Sequence, residues 1–143
     1  MEMRKSIQKR RIGIIITLLS LIGIVLIFEY CKIAEWNMFF MVTEIVLFII
    51  FLASFVATFI KTGLWGFIHK PLTSLDEREI VLTGKSLRYA YSIFTVATLA
   101  LLLYFAVTNT PIDMVLVVSL ILFAHILPAV YIAWTEKEIY QDA

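Results

Sequence analysis

The chain has 143 residues, of which 62% are hydrophobic and 16% charged, with a mean hydropathy of +0.95. Soluble domains carry roughly half apolar and about a quarter charged residues, so this is a membrane composition, one domain long, leaving little outside the bilayer beyond tails and loops. A net charge of +1 offers no electrostatic footprint for nucleic acid, and a single cysteine, Cys31, excludes an intrachain disulfide and dithiol exchange.

In chain order, the first long apolar run covers 12–28 and follows Arg4, Lys5, Lys9, Arg10 and Arg11. That order imitates a secretory signal, but Glu29, Tyr30, Cys31 and Lys32 lack the small side chains of a cleavage site. The expectation is an uncleaved first span. Runs at 38–60, 89–107 and 114–134 follow, each near the ~20 residues that cross a hydrocarbon core as a helix. Barrel strands would alternate over about ten residues instead of running continuously apolar. The predicted fold is all-α and integral to the membrane: four transmembrane helices as two antiparallel hairpins in a bundle. About nine residues join helices one and two. Between helices three and four, Thr110 is the expected N-cap, with Pro111 at the first helical position and Asp113 two residues on.

Lys and Arg in short flanks remain on the cytoplasmic side. Five precede the first span, and Lys61, Lys70, Arg78, Lys85 and Arg88 lie between spans two and three, whereas the opposite side offers Lys32. Both termini are therefore expected in the cytoplasm. Tyr30 and Trp36 fall near the outer boundary, and Trp65, Tyr89, Trp134 and Tyr140 near the inner one, as an aromatic belt requires.

Within helix two, Glu44 is the one acid well inside a run, about 7.5 Å to the outer side of its middle. At 100° per residue it shares a stripe with Leu47, Phe51, Ser54 and Thr58, while Ala53 and Ala57 offer a small-xxx-small contact on another side. An ionisable group there costs roughly 2.5–3.5 kcal/mol at the bilayer centre and is a functional candidate. Equally, it is satisfied by a neighbouring helix.

The connection 61–88 contains Leu72–Ile80, LTSLDEREI, with Asp76, Glu77, Arg78 and Glu79 in succession. Ser74 and Glu77 form an S-x-x-E capping box, which predicts a helix start near Leu75. Carboxylates in its first turn are stabilised by the helix dipole, by about 0.3–1 kcal/mol each. No proline interrupts 75–107, so one helix is expected from loop into membrane, weakest at Gly84. The plain reading is a capped, solvated helix start; the functional one is a docking surface for a basic partner. No metal site is expected, because no second carboxylate or histidine cluster stands nearby.

In helix four, His125 lies near the middle, with Pro128 three residues on. The proline removes a donor to the Ala124 carbonyl, so a kink is expected there. A proton relay or cation site would pair Glu44 with His125, aided by Tyr104 or Thr98. Their depths differ by about 9 Å, so contact requires tilt, the kink or a water. His69 sits in the cytoplasmic loop and His125 near mid-membrane, which argues on depth against a single-chain bis-histidine haem. A haem shared by two copies of His125 is the alternative. No cofactor is assigned. Neither a Ser-His-Asp set, a glycine-rich phosphate loop, C-x-x-C nor a zincin motif occurs, so the chain reads as a non-enzyme.

Leu75-Asp76-Glu77-Arg78-Glu79, followed by the apolar run from Tyr89-Ala90-Tyr91-Ser92, resembles a family of small prokaryotic four-span membrane proteins of unknown function. The resemblance covers mainly the second half of the chain and implies an architecture in the plasma membrane, with no substrate and no functional residues. The partners expected are the lipid bilayer and either further copies of the chain or another membrane protein. Two functions follow as expectations: an accessory, assembly or regulatory subunit, or a small proton-coupled transporter using Glu44. The small multidrug exporters carry their glutamate in the first helix, where this chain has no charge between Ile12 and Phe28.

Overall fold

The computed structural model describes residues 2–135, and the side chains from residue 7 onward except that of Leu72. Tyr140 and the side chains of Arg4 and Lys5, invoked above for topology, fall outside the described residues. Within them the chain is helical and without strands. Four helices, Ile7–Ala34, Met38–Ile60, Glu77–Thr108 and Met114–Thr135, are long and apolar enough to cross a membrane. The chain is a small multi-pass membrane protein. It divides into two compact units, 1–63 and 64–143.

The first unit is a helical hairpin. Helix α1 (Glu2–Ala34) is longer at both ends than its apolar run, because Arg, Lys and Gln are good helix formers and nothing before Ala34 breaks the pattern. The turn is therefore 35–37, three residues rather than about nine. Glu35 turns the chain with φ 64°, a conformation costly for a residue with a Cβ. Asn37 then caps α2 (Met38–Phe55), its side chain accepting from the Phe40 N–H at 3.0 Å.

The two helices meet along matched stripes. Ile14, Thr17, Leu21, Ile24 and Cys31 are buried on α1, spaced by three, four, three and seven residues. Glu44, Leu47, Phe51 and Ser54 on α2, with Thr58 in the turn of helix that follows it, recur at similar spacing and are half-buried or buried. That spacing is the pattern of a coiled-coil-like seam. Ala53 and Ala57 remain exposed in this hairpin; its own close approach is at Gly13, where an added Cβ would run into the Thr58 hydroxyl. Gly23 has the same role against Leu47, whose Cδ1 would lie 3.2 Å from an added Cβ. After Phe55 the helix continues as one π turn, Val56–Ile60, and leaves through Gly63 at φ 73°.

The second unit is α3 (Leu64–Ile68), a short 3₁₀ turn at Leu72–Ser74, α4 (Glu77–Thr108) and α5 (Met114–Thr135). The uninterrupted α4, 32 residues long, fulfils the expectation of one helix running from loop into membrane. Its start differs from the S-x-x-E expectation. Asp76 is the N-cap: its carboxylate accepts from the Glu79 N–H at 2.7 Å while Glu79 accepts from the Asp76 N–H at 3.1 Å. Ser74 instead donates to the Pro71 carbonyl at 2.8 Å and closes the 3₁₀ turn. A similar correction holds at α5. Asp113, not Thr110, accepts from the Leu116 N–H at 2.8 Å, and Pro111 stands outside the helix. Thr110 faces the Thr108 hydroxyl, and Asn109 in the left-handed region ends α4, a conformation asparagine tolerates better than most. Helices α4 and α5 pack antiparallel, with Tyr89 stacked on Tyr131 at 4.7 Å between centroids.

Candidate functional site

Polar groups inside the spans gather in three places. The first is the seam of the N-terminal hairpin. The Thr17 hydroxyl lies 2.9 Å from both the Gly13 carbonyl and the Ser54 hydroxyl, Ser54 donates to the Phe51 carbonyl at 3.0 Å, and Ser20 to Thr17 at 3.0 Å. Thr58 is buried against Gly13, and Thr62 donates to its carbonyl. These hydroxyls return to backbone carbonyls of their own helices or bridge the two. They form a packing seam with its polar atoms satisfied, so Ser54 and Thr58 join helices here.

Glu44 occupies the same stripe, nearer the turn. It borders a shallow depression with Trp36, Met41 and Ile45. Its Oε2 is hidden from solvent and bonds nothing among the described residues. A carboxylate that far inside an apolar run requires a proton, a cation or a donor to offset its transfer out of water. The turn above it is aromatic, Phe28 meeting Trp36 edge-on at 5.5 Å and Tyr30 meeting Phe40 at 5.4 Å.

The third place overturns an expectation. His69, expected far from His125, stacks on Trp65 at 4.4 Å between ring centroids, and Trp65 in turn lies at 6.4 Å and 23° from the His125 ring. The reason is α3, whose apolar residues pack against α5 instead of lying free in the loop. His125 is ten residues before the last described residue of α5, about 15 Å along the axis. Both imidazoles use Nδ1 alike: His69 on the Trp65 carbonyl and His125 on the Ile121 carbonyl, each at 2.8 Å. Pro128 lies within α5, which stays helical on either side of it.

Of the other candidates, Tyr104 is exposed and edge-on to Phe105, and Thr98 hides an unbonded hydroxyl. Glu44 belongs to the first unit, and His125, Tyr104 and Thr98 to the second. Among the described residues, no three His, Cys, Asp or Glu side chains are grouped to hold a metal. The charged stretch is now divided by role: Asp76 and Glu79 cap each other, while Glu77 and Arg78 are exposed. No family model, curated protein or solved structure matches the chain.

Sequence reasoning placed Trp65 at the inner boundary but missed its contacts with His69 and His125. The signal was the apolar run Leu64-Trp65-Gly66-Phe67-Ile68 inside a loop otherwise read as polar.

Proposed function

We propose that the chain is an accessory, assembly or regulatory subunit of a membrane complex, held by helix packing and by the charged start of α4. The observation that supports it is the geometry of that helix. At 32 residues it is about 48 Å long, against a hydrocarbon core of about 30 Å. The Tyr89–Tyr131 stack sets the level of α5, and the helix runs twelve residues, about 18 Å, from its start at Glu77 to that level. The reciprocal cap stiffens this start, with Glu77 and Arg78 in its first turn. A rigid, charged extension of a membrane helix suits electrostatic recognition of a basic partner surface. The distribution of Lys and Arg supports a cytoplasmic face for it and for both termini.

Affinity purification from native membranes, comparing wild type with Glu77→Lys, tests this reading. Reversal of the exposed charge leaves the cap intact. Loss of a stoichiometric partner at unchanged helix content supports it, whereas the same homo-oligomer from both proteins sinks it.

Glu44 supports a second reading, a proton-coupled transporter, because its hidden Oε2 has no hydrogen-bond partner among the described residues. In vesicles, Glu44→Gln would then abolish proton-coupled flux while Glu77→Lys would not.

A further inference from the structure

Both readings rest on acids and leave the cations of the first hairpin unused. Gly13 lies against Thr58, and Thr17 bonds Ser54, so α1 and α2 run antiparallel in a fixed register. Three residues outward from the Gly13–Thr58 contact stand Arg10 on α1 and Lys61 at the end of the π turn. The two side chains therefore leave their helices at one level, about 4.5 Å beyond that contact, on axes no more than about 8–10 Å apart. Arg10 also continues the buried stripe of α1, four residues before Ile14 and seven before Thr17, and is half-buried at the mouth of the seam. Arg11 is half-buried beside it, and Lys61 is exposed. Three cations from two helices thus converge at the open end of the hairpin, with Lys9 at their margin.

No acid of this hairpin stands near them. Between residues 7 and 63 the acids are Glu29, Glu35 and Glu44, all toward the turn, and Glu44 is 17 residues from Lys61, or about 25 Å along the axis. Glu2, seven residues before Lys9, is outnumbered by Arg4 and Lys5 between them. Arg10 and Arg11 repel each other, and Lys61 adds a like charge at the same level. A membrane topology requires a count of cations on one side. It does not require them to meet at the mouth of a seam, where two are partly withdrawn from water; an anion there offsets both the repulsion and the lost hydration.

The position fixes the kind of anion. Ile12, Ile15 and Ile16 on α1, with Val56 and Ile60 on the facing helix, are exposed and apolar, so the cluster stands at the border between hydrocarbon and headgroups. A ligand with phosphate at that level and acyl chains alongside those residues is an anionic phospholipid. Guanidinium forks hold phosphate oxygens in pairs and are weakly hydrated, which suits the half-buried arginines, while Lys61 brings a point charge from the second helix.

We propose that Arg10, Arg11 and Lys61 form a binding site for the phosphate of one anionic phospholipid, which bridges α1 and α2 at the open end of the hairpin.

The test titrates the full chain, in non-ionic detergent micelles, with phosphatidylglycerol and with phosphatidylcholine of the same acyl chains, and counts bound lipid by native mass spectrometry. One phosphatidylglycerol is expected to bind with at least a tenfold preference, since each cation at a lipid phosphate contributes about fivefold. Lys61→Gln lowers that preference about fivefold and Lys61→Arg retains it, whereas Arg10→Gln/Arg11→Gln removes most of it. Lys85→Gln/Arg88→Gln, which takes two exposed cations from the other hairpin, leaves the first bound lipid unchanged. Equal affinity for the two lipids, or an equal loss in Lys85→Gln/Arg88→Gln, overturns the site; Lys61→Gln without effect overturns the bridge. Inorganic phosphate at matched ionic strength leaves the lipid in place, and displacement by it overturns the lipid as ligand. Circular dichroism shows that each variant keeps its helices, and the Lys61 pair carries the test on its own if the double arginine variant does not.

Discussion

At the scale of single residues, the N-terminal hairpin depends on what is missing at Gly13. An added Cβ would meet the Thr58 hydroxyl well inside contact distance, with the Thr58 Cβ 3.2 Å away. Threonine has few helical rotamers to escape into, so Gly13→Ala is expected to destabilise the hairpin by about 1–3 kcal/mol, the usual cost of overpacking. Gly23→Ala meets only the end of the flexible Leu47 side chain and is expected to cost well under that. Adding Thr58→Ala to Gly13→Ala should return most of the loss. Unfolding in mixed micelles, followed by circular dichroism across the double-mutant cycle, measures all three. Removing the hydroxyl of Thr17 breaks its contact with Ser54; hydrogen bonds between membrane helices are worth about 0.6 kcal/mol on average, so that loss is the smaller effect.

Among the elements, both long helices of the second unit are started by an aspartate. Asp76→Ala and Asp113→Ala should each cost about 1 kcal/mol and fray the first turn that follows, while Ser74→Ala and Thr110→Ala should change neither helix start. Hydrogen exchange at amides 77–80 and 114–117 distinguishes the pairs. These positions also show where sequence reading stops. In TSLDERE, Ser74 with Glu77 and Asp76 with Glu79 satisfy the same capping pattern two residues apart, and pattern alone does not choose between them. The choice is made by competition: Ser74 is taken by the Pro71 carbonyl, and a carboxylate gains from the helix dipole where a hydroxyl does not. The spans themselves were legible, because twenty continuous apolar residues have few other uses. The α2 stripe through Glu44, Ser54 and Thr58 was legible from its period. The α3 contact was not, since five apolar residues in a loop do not say which helix they will cover. Glu44 and His125 stand out in the sequence as polar groups inside apolar runs, but the indole that joins His125 to His69 lies some sixty residues away in sequence.

For the whole molecule, the division at Gly63 makes two hairpins, each with its own seam. Hairpins whose backbone bonds are all internal are stable units in lipid before they associate. Cleavage at an inserted protease site beside the exposed Gly63 is therefore expected to leave two membrane-embedded helical fragments with helix content unchanged, read by carbonate extraction and circular dichroism. Four crossings also require the two termini to lie on one side, and tags at either end should be equally accessible to protease. Cys31, buried in the first seam at 2% exposure, should resist maleimide in native membranes and react fully after denaturation in SDS.

The π turn at Val56–Ile60 gives the first hairpin an arithmetic of its own. A π turn closes with one residue more than an α turn, so helix α2 carries a surplus residue at the level of Gly13. If a single residue such as Ala57 were deleted, the turn could tighten to an α-helix without a gap in the chain. Thr58 would then move into the exposed place of Ala57, and the ring of Phe59 would move into the place of Thr58. The cleft that accepts a hydroxyl beside Gly13 would have to accept an aromatic ring. Length in this segment is therefore as specific as composition: a change that removes no polar group and breaks no helix would still pry the two helices apart.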